Sequence, residues 1–524
     1  MEQMKKKKRF TERSLVSRLL FSRFAITIVL LLLQVFFLVA VFLWLGKYGT
    51  YIMSGMTILS LLVMIYIINS KDDPSYKLAW IIPITLFPIL GTFFYLYVRT
   101  DWGTKTSRAL LYTAMKDTSA YAHTEEKVRE NIHRENPMIG QIFDYLEVTG
   151  GHPAYQNTHV DYYPLGDDFF PVLLEALKSA KQFIFMEYFI LEEGKFWDSI
   201  LEVLEQKAAE GVEVRVMYDD LGCVALVPRT YVKTLEEKGL KARAYSRLRA
   251  FLSTSYNNRD HRKITVIDGN VAFNGGVNLA DEYINEKELF GHWKDTAYKV
   301  TGDAVRGFTM MFLQMWNVSL QKEKEDYSKY LDIVPSRPVA DCSGYVIPYG
   351  DGPHRMEKVA EHVYMDILHN ARRYVSIMTP YLILDSEFLQ ALIHTAKRGV
   401  KVKLLLPHIP DKWFAIVIAR SYYPELIEAG VQVYEYTPGF VHAKMFVADD
   451  EMAVAGTINL DFRSLYLHYE CGGFFYRNSV VKAIAADFEK TFEKSQRITV
   501  SAYKKMKLTD RAAGRVLRLI GPLM

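Results

Sequence analysis

One pattern occurs twice in this chain at a constant interval. The first copy is His261-Arg262-Lys263, then Asp268, then Gly275-Gly276-Val277-Asn278. The second is His442-Ala443-Lys444, then Asp449, then Gly456-Thr457-Ile458-Asn459. Each residue of the second copy lies 181 positions after its counterpart, from 261 and 442 through 278 and 459. Chance would have to fix His, Lys, Asp, Gly and Asn twice in the same register. The chain is therefore read as two related halves.

The elements around the copies repeat as well. Phe183 to Met186 reads as a buried strand, Phe196 to Ala209 as a helix and Gly211 to Tyr218 as a second strand. Tyr374 to Met378, Glu387 to Lys397 and Gly399 to Leu406 repeat that order. A third pair of strands is Gly239 to Tyr245 against Gly430 to Tyr436. Strands alternating with helices predict an α/β fold of two pseudo-symmetric α/β/α halves. The interval shrinks from 191 at the third strand pair (239 and 430) to 181 at the motifs. The first half thus carries about ten extra residues, in Ser246 to Asp260, a position suited to a substrate or lid loop. Within each motif His and Lys stand at i and i+2, on one face of an extended strand.

The N-terminal hundred residues are different. Residues 1–23 are strongly basic. Phe24 to Gly46 and Tyr48 to Ile68 are uncharged, and each is long enough for a bilayer. The first run is too long for a cleaved secretory core. A third uncharged run, Leu78 to Val98, contains Pro83, Pro88 and Gly91. It reads as a kinked helix, a re-entrant segment or a third crossing. The expected location is a cell membrane, multi-pass. Two crossings keep the rest of the chain on the side of the basic N-terminus, and three put it opposite. The expected divisions are a membrane domain 1–100, a helical connector 101–154, halves 155–335 and 336–503, and a basic amphipathic segment 504–524. That last segment is read either as a helix on the membrane surface or as one packed on the protein.

The residue types of the duplicated motif suit one class of chemistry. If the halves face each other, two lysines and two asparagines converge. Lys263 and Lys444 offset the charge of a phosphodiester, and the amides of Asn278 and Asn459 donate to its oxygens. One of His261 and His442 attacks phosphorus while the other moves protons. Each His needs an orienting acceptor, for which Asp295 and Glu470 are the downstream candidates. Asp268 and Asp449 sit near the strand end, in a supporting place. No metal and no cofactor is expected, since the lysines take the electrostatic role. Cys223, Cys342 and Cys471 have no C-x-x-C spacing, against a zinc site. His292, His354 and His468 are read as structural. A net charge of only +4 gives no case for nucleic acid.

At these residues the chain resembles the phospholipase D superfamily, whose signature is the duplicated His-Lys-Asp motif. More narrowly it resembles bacterial cardiolipin synthases. Asn258 to Lys263, Gly456 to Leu465, Pro74 to Trp80 with Pro88 and Gly91, and the chain's ending carry that likeness. The resemblance implies phosphatidyl transfer between two phosphatidylglycerol molecules, giving cardiolipin and glycerol through a phosphatidyl-histidine. It implies His261 as nucleophile and His442 as acid and base, with phosphatidylglycerol and cardiolipin as membrane partners. Gly276 stands where that superfamily often has Ser, and Thr457 keeps a hydroxyl in the second half, so asymmetric phosphate contacts are expected. The rival readings are a hydrolytic membrane phospholipase D, a nuclease and a non-catalytic membrane scaffold.

Overall fold

The computed structural model describes residue 36 and residues 46–99, 104–246, 258–318, 325–336, 341–353 and 357–523. The basic residues 1–23, nearly all of the run 24–46, most of the insert 246–260, and His354 lie outside the described residues. The chain forms two compact units, divided near residue 100.

In the first unit, helix α1 spans Gly46–Asn69. Its segment Thr50–Asn69 is, among the described residues, the one helix long and apolar enough to cross a membrane. Its 20 residues rise about 30 Å, the thickness of a hydrocarbon core. The run Leu78 to Val98 does not continue as a rod. It folds into α2 (Pro74–Leu86) and α3 (Pro88–Arg99), which turn back on each other. Pro88 has no amide hydrogen and disfavours a helical residue before it, so the helix breaks at Phe87. Gly91 then lets the two backbones close: a Cβ there would stand 2.7 Å from Cα of Ile84. Further along, Trp80 packs against Phe94 and Tyr95 with ring centres 5.5 and 5.3 Å apart. Arg99 pairs with Asp72 where the hairpin returns. Each arm is about 20 Å long, short of a crossing.

The second unit holds the duplicated region. The first half contributes β1 (Thr158–Tyr163), β2 (Phe183–Tyr188), β3 (Glu213–Asp219), β4 (Lys241–Tyr245), β5 (Ile264–Ile267), β6 (Val271–Gly275), β7 (His292–Lys294) and β8 (Ala297–Gly302). The second contributes β9 (Tyr345–Asp351), β10 (Tyr374–Met378), β11 (Lys401–Pro407), β12 (Gln432–Tyr436), β13 (Gly439–Val441), β14 (Met445–Ala448), β15 (Met452–Gly456), β16 (Glu470–Tyr476) and β17 (Ser495–Ile498). The first sheet runs β1-β8-β6-β5-β2-β3-β4 and the second β17-β12-β11-β10-β14-β15-β16-β9. Read from opposite ends these are one order, with β17 added at an edge. In each sheet the strands β2-β3-β4 or β10-β11-β12 are parallel and the rest antiparallel. The two-half α/β architecture expected from the repeat is the one observed.

The halves share a core. Phe185, Ile264 and Val266 of one sheet, and Met378, Met445 and Phe475 of the other, belong to one apolar cluster with the helices Val305–Val318 and Val480–Glu493. Phe185 stacks on Phe312 with centres 4.7 Å apart. The segment after residue 103 is not a loose link. Its helices Glu126–Glu135 and Pro137–Gly150 bury Val128, Ile132, Phe143 and Leu146 in the cluster of the second half. Near the C-terminus, α4 (Trp413–Glu428) carries α5 (Leu508–Ile520) on its outer side. Residues 508–520 are packed on the protein along one side of the helix, as one of the two readings of 504–524 expects.

Candidate active site

The two motif histidines are placed by the edge where the halves meet. The amide of His261 donates to the carbonyl of Tyr469 at 2.9 Å, and Tyr469 returns a bond to Arg259 at 2.7 Å. On the other side β13 pairs in parallel with β7, and the amide of His442 donates to the carbonyl of Lys294 at 2.8 Å. The residue after each of these partners is a carboxylate. Glu470 follows Tyr469, and Asp295 follows Lys294. The pairing is therefore crossed between halves: Nδ1 of His261 lies 2.9 Å from Glu470, and Nδ1 of His442 lies 2.6 Å from Asp295. With Nδ1 engaged in both rings, Nε2 is the nitrogen left for chemistry.

The remaining motif residues divide into two groups. Lys263 and Lys444 turn back so that each ammonium reaches the carbonyl of its own histidine, and Nζ of Lys444 also stands 2.7 Å from Nδ1 of His442. Asn278 donates to the hydroxyl of Tyr283 at 2.7 Å, and Asn459 donates to Ser464 at 3.0 Å. Each amide nitrogen carries two hydrogens, so one donor per Asn remains for a ligand. Asp268 and Asp449 are elsewhere, past the far ends of β5 and β14. Asp268 accepts from the amides of Lys181, Gln182 and Phe183, and Asp449 from those of Arg372, Arg373 and Tyr374. Both tie the start of a neighbouring strand to the motif strand and are not brought to the imidazoles.

Positions 276 and 457 are equivalent in register and opposite in use. A Cβ on Gly276 would meet Oδ1 of Asp295 at 2.0 Å, so the absent side chain makes room for that carboxylate. The Thr457 hydroxyl bonds to Glu470 and accepts from the amide of Cys471 at 3.0 Å. The asymmetry thus falls on the carboxylates that support the histidines.

Burial without solvent shapes the charges. It drives His261 well below the usual imidazole range, and Lys263, His468, Lys444 and His442 add to the effect. It brings His442 down to about 4, with Lys444 lowering it further and Asp295 opposing. The ammonium groups lose their charge more easily as well, Lys263 at about 8 and Lys444 at about 7, both chiefly through burial. The carboxylates go opposite ways. Burial would raise Asp295, but Lys444 and His442 hold it below the usual range. Glu470 is raised well above that range by burial, which Lys263 and Thr457 offset only in part.

Several neighbours carry no motif. Phe189 packs edge-on to His261 with centres 4.9 Å apart, and Tyr283 does so to His442 at 5.4 Å. Trp293 lies against His442 at 5.6 Å. His468, read from the sequence as structural, is buried 5.6 Å from the His261 ring. His261, His468 and Glu470 each offer a donor atom within 4.8 Å of one another, a set of types that transition metals take. Lys263, whose charge reaches both rings, opposes a divalent cation there.

A mixed-sheet pair of halves meeting at two buried His-Lys-Asn sets defines a phosphodiester-transfer protein of the duplicated-motif kind. Comparison with known proteins agrees. A family model described as "Cardiolipin synthase, PLD-like domain" matches residues 173–316 and 364–493, and one described as "Phospholipase_D-nuclease N-terminal" matches 58–99. A cardiolipin synthase of Alkalihalophilus pseudofirmus is 33% identical over 472 residues, covering 89% of this chain and 93% of its own length. A Streptococcus mutans protein with no activity in its name is 47% identical over 461 residues, 88% of this chain and 99% of its own. Phosphatidylserine synthase of Haemophilus influenzae shares the fold, with a TM-score of 0.54 at 14% identity over 70% of this chain and 95% of its own. The chain belongs to the cardiolipin synthase family of phospholipase D-like proteins. It is a membrane-associated phosphatidyltransferase acting on phospholipids.

Two outcomes are expected. Asp449→Ala strips three amides of their acceptor and lowers folding stability by about 3 kcal/mol, while turnover per folded molecule stays within about twofold. Denaturant titration beside active-site counting checks this, and lost turnover at unchanged stability would put Asp449 in the chemistry. Because an oxyanion favours charged lysines, tungstate affinity falls roughly tenfold between about pH 6.5 and 8.5. Calorimetry in buffers of different ionisation enthalpy then reads proton uptake on binding, and flat affinity without uptake contradicts the depressed ammonium groups.

Proposed function

We infer that this chain makes cardiolipin from two phosphatidylglycerol molecules. Nε2 of His261 attacks phosphorus of the first, and its P–O bond to glycerol breaks. His442 gives a proton to the departing glycerol oxygen. A terminal hydroxyl of the second phosphatidylglycerol then attacks the phosphatidyl-histidine, His442 takes that proton, and His261 leaves as cardiolipin forms. Lys263 and Lys444 offset the charge on the equatorial oxygens, and the free amide hydrogens of Asn278 and Asn459 donate to them.

The observation that carries the assignment of roles is the crossed pairing of each histidine with a carboxylate, and the opposite directions in which the two carboxylates are shifted. Asp295, held below the usual carboxylate range beside His442, opposes the fall in that ring's proton affinity and supports it as the proton carrier. Glu470, raised well above the usual carboxylate range by burial, gives His261 less support as a cation, and burial with the nearby cations favours the uncharged imidazole that a nucleophile needs. The aromatic walls of Phe189, Tyr283 and Trp293 favour a lipid hydroxyl over water as acceptor.

Incubated with phosphatidylglycerol alone, the purified protein yields cardiolipin and glycerol. His261→Ala gives no phosphorylated enzyme, whereas His442→Ala lets one accumulate. Phosphatidic acid without cardiolipin would mean a hydrolase, and the reversed trapping pattern would exchange the two histidines.

The chain is further read as crossing the membrane twice, through residues 24–46 and through α1. The hairpin of α2 and α3 supports this count, because its arms are too short to cross. The catalytic unit then shares the cytoplasmic side with the basic N-terminus. A cysteine at Glu237, exposed on the catalytic unit, reacts with an impermeant maleimide only after the cells are opened. Labelling of intact cells would demand an odd number of crossings.

A further inference from the structure

Helix α5 docks on the catalytic unit with its polar side inward. Gly514 is its buried residue, so close to α4 that a Cβ would stand 2.2 Å from the carbonyl oxygen of Val417. Arg518 caps the Tyr422 ring at 3.9 Å and reaches Glu425 at 3.5 Å. At 100° per residue, Asp510, Gly514 and Arg518 share one side of the helix. The opposite side carries Leu508, Val516 and Leu519, which are 75%, 63% and 56% exposed. An ordinary surface helix buries its apolar stripe and wets its charges. This one sets Leu517 against the core but leaves Leu508, Val516 and Leu519 bare while Asp510 and Arg518 face α4.

Three further observations say what covers that side. Lys504, Lys505, Lys507 and Arg515 are exposed along it or just before it, and the one acid of the helix, Asp510, is turned toward α4. Two such basic faces repel each other, whereas an anionic surface attracts them. The apolar area also continues beyond α5. Trp413 and Phe414 lie one turn before Val417, on the side of α4 that α5 covers, and are 56% and 37% exposed. A tryptophan beside aliphatic residues and a basic rim is the composition of an interfacial membrane site.

We propose that α5 and the start of α4 form a lipid-docking face of the catalytic unit, which lies on an anionic bilayer through Leu508, Val516, Leu519 and Trp413. It is a second attachment, separate from α1, and it fixes the catalytic unit's orientation on the surface. This face involves neither the histidines nor the reaction, and the spin-label result reads it apart from the proposed function.

The test uses the full chain carrying Cys342→Ser and Val516→Cys, spin-labelled at position 516, in nanodiscs containing phosphatidylglycerol. The expected result is that the label relaxes more strongly with oxygen than with a water-soluble nickel chelate. Equal or stronger relaxation by nickel would overturn the proposal. So would dipolar broadening between labels that disappears on dilution with unlabelled chain, which would make the face a self-association surface. A functional arm uses Val516→Asp with Leu519→Asp. This variant slows transfer on bilayer phosphatidylglycerol roughly tenfold and leaves the rate on detergent-dispersed lipid unchanged. An equal loss in both settings would also count against the docking role.

Discussion

The site depends on two imidazole–carboxylate bonds that cross between the halves. His261 and Glu470 are 209 residues apart, and His442 and Asp295 are 147 apart. Neither half can orient its own histidine. Each takes a carboxylate that directly follows the carbonyl its own histidine amide bonds in the other half: Glu470 at the start of β16, and Asp295 just past the end of β7. The shared core, in which Phe185 and Met445 belong to one cluster, keeps these two bonds in register. Tyr162 and Lys294 of the first half add bonds to Asp487 of the second at 2.6 and 2.7 Å. Loosening the contact between halves would misplace both rings at once.

Crossing also divides labour between halves that began alike. Gly276 and Thr457 occupy one register position, yet one admits a carboxylate and the other binds one. Asp295 is held below the usual carboxylate range by Lys444 and His442, and Glu470 is raised well above it by burial. A symmetric site would give its two histidines the same proton affinity and leave nothing to separate attack from proton transfer. The departure from symmetry is small in atoms and large in charge.

Much of this was legible from residue order, because a repeat exposes itself in one dimension. The two halves, their strands and the fold class follow from periodicity and from the interval of 181. The crossed pairing does not, since spacing carries no sign of which half a carboxylate will face. Tyr283 and Ser464 did leave a signal: they stand five residues after Asn278 and Asn459, and each accepts from that Asn. Their differing chemistry hid the equivalence. His468 looked like any lone histidine until tertiary packing set it beside His261. For residues 504–524 the amphipathic pattern was plain, but a glycine decided which side docks, and a missing side chain adds nothing to a hydropathy pattern. The proline and glycine of residues 78–98 signalled a break, while the return of the arms needed the contacts of Trp80.

The wedge of space at Gly276 bears on how such a chain drifts over generations. A side chain there must shift the carboxylate that supports His442, because the first added carbon would already meet it at 2.0 Å. Position 457 is open to replacements that keep a hydroxyl. Two sites descended from one ancestral position therefore differ in the variation they tolerate, and a copy of one half could not be spliced in for the other.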